Sequence, residues 1–582
     1  MALKLLKYIF DLRKTNFYII KIQKLYLYFK QRKMKLISFI SLLLFSISNF
    51  GQNNYKITYL KSSNGTLIEN QDAIVVFSND KQSILTSEKI EANKAEFPFE
   101  KTVISNLNYI LVANLKENKT ITSIDSTSIG KQNFELLSDT KKILGYTCKK
   151  AKTSINSNTI EIWYTNELKV KGAPSILGQN LGLVLEMNRN GNFLISASKI
   201  ENVKKNPTLQ IDSSKMMDLL SYKDELWKSR FTTLSLFKDE VINFSNESKS
   251  NDSILRYANG TLILKKIQFP KIENGSQVFI DLTEQSNGDA YDRTGSVFLI
   301  SMDKKHSFLD GIQNGMKTLP LYENGNTKQY QGVVATENYT PLLELMRFFT
   351  PFGIKQFNGL QLKGKTWEEK AYYRQDISEL TASFSNKELY IGTFIGNYDK
   401  GGHKVSLTMT IHPEENAKAK PSFVLPIFNT TNVMEMAGQE YGTMFNSEKG
   451  LVVNFNLEND KKNVKIRYIS TGHGGWENGD EFVPKKNTIF LDNKEVFHFT
   501  PWREDCGSYR LFNPASGNFS NGLSSSDYSR SNWCPGMLTN ATIIDLGDLK
   551  AGNHTIQVVI PQGENEGTSF SSWNVSGVLI GE

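Results

Sequence analysis

The sequence is poor in cysteine and histidine, with 3 cysteines and 6 histidines among 582 residues. So few cysteines exclude a disulfide-rich scaffold and an array of zinc fingers. The histidines form no HxH or HExxH pattern and no GxSxG motif is present, so the sequence predicts neither a metal site nor a serine-hydrolase elbow. An apolar fraction of 39% with 22% charged residues excludes wholesale disorder.

Long apolar runs are missing after residue 52, which predicts no stable membrane insertion. Residues 34–52 have a basic start, a short apolar stretch and a small-residue end, the pattern of a secretory signal peptide. An N-terminal anchor is the alternative interpretation. Residues 1–33 precede this complete signal and its own Met34, so we interpret them as an upstream extension. The protein is therefore predicted to be secreted or periplasmic.

The net charge of +8 is not spread along the chain. Residues 1–35 contain ten Lys or Arg and one Asp, whereas residues 36–582 contain 58 basic and 59 acidic residues. A nearly neutral exported chain does not match the basic footprint of a nucleic-acid-binding protein. The charge predicts no nucleic-acid partner and fits a neutral substrate better than a polyanion.

Alternating apolar residues and frequent turn signals predict a mainly β protein. We expect a β-rich N-terminal domain over 53–210. A helical linker follows over 211–249, where Met216, Leu219, Leu220, Leu226 and Trp227 share one helix face and Asp212, Ser213 or Ser214 caps it. From Ile254 onward, turn signals recur in the spacing typical of sandwiches and jelly rolls, and the length suits two of them.

The candidate catalytic residues lie in turns between predicted strands. The first turn, between two strands, contains Asp289, Tyr291, Asp292 and Arg293. An arginine paired with Asp292 would favour its ionised form, while burial near Asp289 would oppose this, which is how a general base is tuned. A surface ion-pair cluster is the alternative interpretation.

Two further turns add polar and aromatic residues. One contains His473, Trp476 and Glu481, with Glu481 at a predicted strand start, and the other contains Arg530 and Trp533. The rings of Tyr291, Trp476 and Trp533 are of the kind on which sugars stack. Cys506 and Cys534 lie in one domain and are predicted to pair after export, whereas Cys148 is predicted to be a buried apolar thiol. These features indicate a secreted β protein that binds carbohydrate.

Residues from about 250 to 582 resemble the bacterial peptide-N-glycosidase F family of peptide:N-glycan amidases. The similarity is carried by Tyr291-Asp-Arg, Glu344–Pro351, Glu388–Ile391, Phe423–Ile427 with Tyr441-Gly442, Gly472–Gly474 and Trp533–Met537. It implies two adjacent eight-stranded antiparallel jelly rolls, at 250–415 and 416–582, acting as a monomer on N-glycosylated peptides and proteins without a cofactor.

The resemblance also implies roles for individual residues. Asp292 would be the main acid or base, oriented by Arg293, while Glu481 and Arg530 would hold the water and the carbonyl group. Substrate contacts are expected from the remaining candidates, which are Asp289, Tyr291, His473, Trp476 and Trp533.

The sequence also departs from the family pattern. A second glutamate of the family falls at about Phe394, and the small disulfide loops beside the catalytic residues are missing. Asp399 is a candidate substitute. A non-catalytic N-glycan-binding module on the same fold is therefore the alternative function. A copper monooxygenase, which a related fold hosts, is disfavoured by the lack of paired histidines.

Residues from about 53 to 240 resemble the GLPGLI family of exported Bacteroidetes proteins. The similarity lies in Ile143–Ala151, Trp163–Asn166 and Leu177–Leu185. It implies no chemistry, and we expect an interaction or substrate-guiding role.

Overall fold

The computed structural model describes residues 54–209, 211–353, 361–414, 420–474, 479–514, 524–564 and 571–582. The predicted signal peptide therefore lies outside the described residues. The chain divides into two compact units, one ending at Arg230 and the other spanning Phe231–Glu582. Within the described ranges, no helix combines the length and the apolar character needed to cross a membrane.

The N-terminal unit is built on one 13-stranded sheet, antiparallel except where its last strand joins in parallel. Its strands are β1 (Asn54–Ser63), β2 (Thr66–Leu67), β3 (Ile74–Ser78), β4 (Ser83–Ser87), β5 (Phe99–Ser105), β6 (Asn108–Asn114), β7 (Thr120–Asp125), β8 (Glu135–Ile143), β9 (Tyr146–Ile155), β10 (Asn158–Thr165), β11 (Leu183–Arg189), β12 (Phe193–Val203) and β13 (Met216–Met217). The sheet order is β13-β7-β6-β5-β4-β3-β1-β12-β11-β10-β9-β8, and β2 pairs with β1. Cys148 is a buried free thiol in β9, as predicted.

Two short helices accompany this sheet, α1 (Glu88–Glu91) and α2 (Leu219–Lys228). The predicted helical linker is wrong beyond α2, because residues Thr232–Ile242 form the first strand of the next unit. The predicted apolar face is also wrong, since Leu220 and Trp227 are exposed and Tyr222 is buried. The Asp218 side chain caps the helix, and this start turns Tyr222 toward a small apolar cluster of the sheet.

The C-terminal unit begins with a sandwich of two main sheets. Its strands are β14 (Thr232–Ile242), β15 (Leu255–Tyr257), β16 (Leu262–Gln268), β17 (Gln277–Ser286), β18 (Thr294–Ile300), β19 (Leu321–Tyr322), β20 (Tyr330–Gln331), β21 (Leu343–Phe349), β22 (Ala371–Asp376), β23 (Glu388–Ile395) and β24 (His403–His412), and helix α3 is Phe308–Asn314. One sheet has the order β14-β24-β17-β22. The other has the order β15-β16-β23-β18-β21-β30, where β30 comes from the later part of the chain.

A second sandwich follows, with two four-stranded sheets. Its strands are β25 (Phe423–Asn429), β26 (Leu451–Leu457), β27 (Lys461–His473), β28 (Asn487–Leu491), β29 (Lys494–Phe499), β31 (Thr542–Leu549), β32 (Gly552–Val559) and β33 (Ser572–Gly581), and β30 is Leu538–Thr539. The sheet orders are β25-β33-β27-β31 and β26-β32-β28-β29. The antiparallel, mainly β fold agrees with the prediction.

Alternating side chains explain why these strands form sandwiches. In β24, Val405, Leu407, Met409 and Ile411 are buried in the core of the first sandwich, and the residues between them are only half-buried. This is the period-two pattern of a strand with one face toward a core. A strand such as β26 repeats the pattern in the second sandwich.

The two sandwiches meet across buried, hydrogen-bonded charges. Arg347 of β21 donates to both carboxylate oxygens of Glu344, at 3.0 and 2.7 Å, and to Thr471 Oγ1 of β27 at 3.1 Å. Arg467 of β27 donates to the carbonyl oxygen of Glu344 at 3.1 Å. Since buried charges are costly unless paired in good geometry, these contacts fix how the sandwiches join. They thereby position loops from both sandwiches against each other.

Candidate functional site

Three of the predicted residues meet where the two sandwiches join. Nη1 of Arg530 lies 3.1 Å from Asp292 Oδ2 and 2.8 Å from Glu481 Oε1. Asp292 belongs to the first sandwich, and the other two residues belong to the second. The side chains of Asp292 and Glu481 are 15% and 18% exposed, whereas that of Arg530 is fully buried. We call these three residues the site cluster.

Asp292 is held by the loop that joins β17 to β18. The buried Thr350 hydroxyl donates to the carbonyl oxygen of Tyr291 at 3.0 Å and accepts from the Arg293 amide at 2.8 Å. The Thr350 amide also donates to the carbonyl oxygen of Arg293 at 3.0 Å. One side chain from the end of β21 therefore fixes both neighbours of Asp292.

Glu481 lies in a turn rather than at a strand start, so that prediction is wrong. The Phe482 amide donates to the carbonyl oxygen of Gly479 at 3.0 Å, and the next strand begins only at Asn487. The carbonyl oxygen of Glu481 accepts from the Ser531 amide at 2.9 Å. This bond ties the Glu481 turn to the segment that carries Arg530.

The Arg530 segment is fastened in two ways. Its backbone pairs with that of Arg503 through two hydrogen bonds of 2.9 and 3.0 Å. The predicted disulfide between Cys506 and Cys534 is present and joins the same two segments. A cross-link of this kind stabilises the fold mainly by limiting the unfolded chain, typically by about 2–4 kcal/mol.

The guanidinium of Arg530 is enclosed by the protein. Its Nη2 donates to the carbonyl oxygen of Ser525, and its carbon lies 4.3 Å from the Trp533 ring centroid and 4.9 Å from that of Phe482. Because no part of the side chain is exposed, Arg530 reaches a substrate only through the two carboxylates. It is therefore suited to tuning and positioning them, and the prediction that it holds the carbonyl group directly does not fit its burial.

Trp533 was predicted to stack on sugar, and that prediction is wrong. The side chain is buried, with Arg530 near its ring and Phe349 stacked on it at a centroid distance of 4.3 Å. Its Nε1 donates to the carbonyl oxygen of Gly472 at 2.9 Å. Trp533 therefore forms the wall behind Arg530.

Burial shifts the proton affinity of both carboxylates in the site cluster. Desolvation raises the pKa of Asp292 above its ordinary value, against the lowering effect of Arg530. Desolvation, and then the nearby charge of Asp292, raises the pKa of Glu481 to about 7, again against Arg530. Two like charges that share one cation are disfavoured together, so the pair tends to retain one proton near neutral pH. One acid beside one base is what amide hydrolysis requires.

Arg293 does not pair with Asp292, and that prediction is wrong. Its Nε and Nη2 donate to the two oxygens of Asp289, at 2.7 and 3.2 Å. Asp289 is buried and also lies 3.4 Å from Nε2 of His403. Since its oxygens are engaged inside the protein, Asp289 is a structural residue of the loop, and its predicted substrate contact is not supported.

His403 completes this second group of charges. Its Nδ1 lies 2.8 Å from Glu284 Oε1, and all four side chains of the group are largely buried. Hydrogen bonds and charges of Asp289 and Glu284 outweigh desolvation and raise the pKa of His403 to about 9. Desolvation likewise opposes His403 and Arg293, which together lower the pKa of Asp289 below its ordinary range. We call Glu284, Asp289, Arg293 and His403 the His403 cluster.

The sequence did not reveal the importance of His403. Glu284 is 119 positions away along the chain, and only the pairing of β17 with β24 brings the two side chains together. The isolated histidine at the start of a strand carries no local pattern that distinguishes it from a surface residue. The one available signal is that a strand of alternating apolar residues begins with it.

Tyr291 is exposed beside the site, as its predicted role requires. Its side chain is 57% exposed, and the Arg293 guanidinium carbon lies 5.0 Å from its ring centroid. The exposed Tyr398 lies on the same guanidinium, at 5.3 Å from its own centroid. The Arg293 guanidinium thus contacts two exposed aromatic rings. This arrangement is compatible with sugar stacking.

The remaining predicted residues divide into three groups. His473 is half-buried, packs near Phe349 and Trp533, and burial lowers its pKa to about 3, so it is neutral. Trp476 lies outside the described residues. Phe394 is buried in an apolar cluster and supplies no carboxylate. Asp399 Oδ1 accepts the amides of Gly401 and Gly402, and its role as a substitute carboxylate stays a prediction.

Known proteins share this fold and these domains. The model described as "N-glycanase peptide, N-terminal domain" matches residues 57–224, and those for the N- and C-terminal domains of peptide-N-glycosidase F match 233–411 and 440–580. The chain therefore belongs to the peptide-N-glycosidase F family. The GLPGLI resemblance of the N-terminal region stays a prediction.

Among solved structures, PNGF-II in space group C2 is 55% identical to this chain, with a TM-score of 0.85. The match covers 91% of this chain and 98% of that one. PNGF-II in space group P21 is 56% identical, with a TM-score of 0.86, over 91% and 99% of the two chains. No curated protein matches the chain significantly. The family assignment supports a glycan-related, amidase-type function.

Proposed function

We propose that the protein is a secreted amidohydrolase that cleaves the amide bond between asparagine and the innermost N-acetylglucosamine of N-glycoproteins. The products are a glycosylamine and an aspartate in the peptide. The observation that carries the proposal is the site cluster, in which one buried guanidinium contacts two carboxylates of raised pKa. Membership in the peptide-N-glycosidase F family supports the same reaction class.

The chemistry follows from the shared proton of the two carboxylates. Asp292 has the lower ordinary pKa and is assigned as the base, and Glu481 carries the proton near neutral pH. Asp292 takes a proton from water while the water oxygen bonds to the amide carbonyl carbon. Glu481 then gives its proton to the amide nitrogen as the carbon–nitrogen bond breaks. Transfer of the proton from Asp292 back to Glu481 restores the site, and the sum is one water consumed per amide cleaved.

Arg530 supports both steps without contacting the substrate. Its positive charge offsets the cost of ionising a buried carboxylate, and its fixed position sets the distance between acid and base. Thr350 and the Arg503–Arg530 backbone pair hold the two sides of the site in register. Preorganisation of this kind lowers the barrier because little has to move during the reaction.

Export and substrate class are part of the proposal. The Cys506–Cys534 disulfide fits an oxidising compartment. We expect the protein to act as a monomer on N-glycosylated peptides and proteins, with Tyr291 and Tyr398 beside the sugar.

The test uses a glycopeptide with one N-glycan in heavy-oxygen water. The wild-type protein should convert glycosylated asparagine to aspartate carrying one heavy oxygen, as detected by mass spectrometry. Asp292→Asn should abolish the conversion because the base is lost, and Asp252→Asn, at an exposed carboxylate outside the site cluster, should retain it. Glycan release that leaves asparagine unchanged would show a different reaction.

A binding module without catalysis is the second candidate. It is favoured by Phe394, which places an apolar cluster where the family pattern has a glutamate. Tight glycopeptide binding with no aspartate formed by the wild-type protein would decide for this alternative.

A further inference from the structure

The acidic residue that precedes Glu481 is buried, and the proposed reaction does not use it. The side chain of Asp480 is fully buried, and its oxygens face nitrogen donors from three other residues. Its Oδ2 accepts from Trp573 Nε1 at 2.8 Å, and both oxygens lie 3.0 Å from the Gly563 amide. Lys485 Nζ lies 3.7 Å from its Oδ1. Asp480 therefore ties the Glu481 turn to other segments of the second sandwich.

The segments that hold the Asp480 side chain are closely packed. Trp573 belongs to β33 and lies in the apolar core of the second sandwich. Gly563 can approach because it has no side chain, since a Cβ atom there would lie only 2.7 Å from Asp480 Oδ1. A carboxylate fixed to a core strand also fixes its own backbone, and hence the backbone of the neighbouring Glu481.

The backbone of Asp480 is held by Ser531. The Ser531 hydroxyl donates to the carbonyl oxygen of Asp480 at 2.5 Å, and the Ser531 amide donates to that of Glu481 at 2.9 Å. Ser531 directly follows Arg530, so one residue fastens the Glu481 turn to the segment that carries the guanidinium. Thr350 contacts the backbone in a similar way on the other side of the site cluster.

The end of β27 also packs tightly against this turn. A Cβ atom at Gly472 would lie 2.6 Å from the carbonyl oxygen of Asp480 and 2.8 Å from Ser531 Cβ. Both distances are shorter than ordinary van der Waals contacts, so β27 can approach only because residue 472 is a glycine. The Gly472 amide donates to the carbonyl oxygen of Ser531 at 3.3 Å. The turn therefore has little room to move.

Stability alone does not explain a carboxylate at residue 480. Burying an ionised group is costly, and apolar residues of similar volume often stabilise a fold at least as well as a buried ion pair. Desolvation raises the pKa of Asp480 above its ordinary value, against the effects of Gly563, Trp573 and Lys485. A costly buried acid next to Glu481 is explained if it fixes the position of that residue.

We propose that Asp480 and Ser531 are positioning residues that hold Glu481 at its distance from the other members of the site cluster. This inference rests on the proposed amidase function. Both residues are buried, so they act through the backbone of Glu481 and not on the substrate. A proton donor must lie within hydrogen-bond reach of the leaving nitrogen, and a displacement of about 1 Å can lower the rate by about 10²-fold.

Steady-state kinetics on a glycopeptide test the role of Asp480. Asp480→Ala removes the anchor, so kcat should fall at least tenfold while KM stays within twofold of the wild type. Asp480→Asn keeps an acceptor for Trp573, so its kcat should lie between those of the alanine variant and the wild type. An asparagine variant as impaired as the alanine variant, or an unchanged kcat in both, would overturn the proposal.

The matched control for Asp480→Ala is Asp460→Ala. Asp460 accepts from a backbone amide at 2.8 Å and pairs with a lysine at 2.9 Å, in the turn before the opposite end of β27. Its loss should leave kcat unchanged because no residue of the site cluster is attached to it. Equal falls in kcat in the two alanine variants would contradict a specific role of Asp480.

A double-mutant cycle separates positioning from general damage to the fold. In a Glu481→Gln background no proton donor remains to be positioned, so adding Asp480→Ala should lower the residual kcat less than twofold. Ser531→Ala removes a single hydroxyl and should lower kcat severalfold in the wild-type background only. Ser383→Ala, which also removes a hydroxyl that donates to a carbonyl oxygen, is its control. Equal losses of kcat in both backgrounds would overturn the positioning role.

Hydrogen exchange detected by mass spectrometry measures the anchor without any hydrolysis. The amides of Phe482, Val483 and Ser531 should exchange faster in Asp480→Ala than in the wild type, whereas that of Arg293 should not. Unchanged exchange would overturn the anchor whether or not the protein is an amidase. A wild-type protein that hydrolyses no glycopeptide would contradict the proposed function, and this measurement would still decide whether Asp480 holds the turn.

Discussion

The C-terminal unit contains two buried groups of charges that share one loop, in which Asp289 and Arg293 of the His403 cluster lie on either side of Asp292, but the two groups differ in how their charges are paired. In the His403 cluster, buried acids and cations alternate, so Asp289 has a lowered pKa and His403 a raised one. In the site cluster, two carboxylates share one guanidinium and both pKa values are raised. In the first arrangement each charge faces one of opposite sign, which stabilises the loop, whereas the second arrangement leaves a proton to be transferred. Pairing, rather than burial, distinguishes a structural cluster from a reactive one.

The largest effect is expected from Arg530→Lys. A lysine keeps the charge but cannot contact both carboxylates and the Ser525 carbonyl oxygen at once. We expect kcat/KM on a glycopeptide to fall by about 10²- to 10³-fold, as when one preorganised donor is lost. The control is Arg503→Lys, at a neighbouring, partly exposed arginine, and its kcat/KM should fall by much less. Equal losses of kcat/KM in the two variants would mean that activity depends on the fold of the Arg530 segment and not on the guanidinium shared by the two carboxylates.

His403→Gln should destabilise the fold, and the effect should depend on pH. The pKa of His403 is raised to about 9 in the folded protein, so its contribution is fully present below about pH 6.5 and disappears as the pH rises through 9. Removing the cation should cost about 3 kcal/mol at pH 6. Denaturant unfolding of both proteins from pH 6 to pH 10 measures this. A pH-independent difference would contradict the ion pairing.

Glu481→Gln should raise the free energy of unfolding at alkaline pH, whereas His403→Gln lowers it. The pKa of Glu481 is raised from 4.5 to about 7, so the wild-type protein loses stability as the pH rises from 4.5 through 7. The amide does not ionise, and we expect the variant to be more stable than the wild type at pH 8 by about 2 kcal/mol while hydrolysing far less glycopeptide. The same unfolding series detects it, with Glu495→Gln at an exposed position as control. A variant less stable than the wild type at pH 8 would show that ionised Glu481 is stabilised.

Tyr291→Ala should have the smallest effect. Its exposed ring lies over Arg293 and beside the site, so its loss should raise KM severalfold with little change in kcat or in unfolding. Tyr372→Ala, at another exposed tyrosine, is the control. A fall in kcat with unchanged KM would place Tyr291 in the chemistry instead.

The sequence predicted the strands well because their information is local. Alternation in β24 and the turn before β18 are visible within ten residues. The Cys506–Cys534 pair was also predictable, since Cys148 lies in a distant domain. In helix α2 the apolar spacing predicted the wrong buried face. The helix begins after the Asp218 cap, and the face that contains Tyr222 is buried instead.

The site itself was predicted in its members but not in its pairings. Asp292, Glu481 and Arg530 were named, yet Arg293 was paired with the wrong aspartate, because proximity in sequence does not give the direction of a side chain. Trp533 was predicted to stack on a sugar because of its residue type, but it is buried behind Arg530. His403 was missed because Glu284 is adjacent only after two strands pair. The last two failures concern contacts with strands that are distant along the chain, whereas the first is a choice between two carboxylates of one loop.

The division of the site cluster between two sandwiches has a consequence for folding. Asp292 and Arg530 are 238 positions apart, so their contact is among the last that the chain closes. A nascent chain that has folded only β14–β24, the strands of the first sandwich that precede residue 413, has half of the acid–base pair and cannot hydrolyse an amide. The rate at which activity recovers on refolding therefore measures the docking of the two sandwiches. This recovery should be slower than that of the amide I infrared absorbance of the β-sheets.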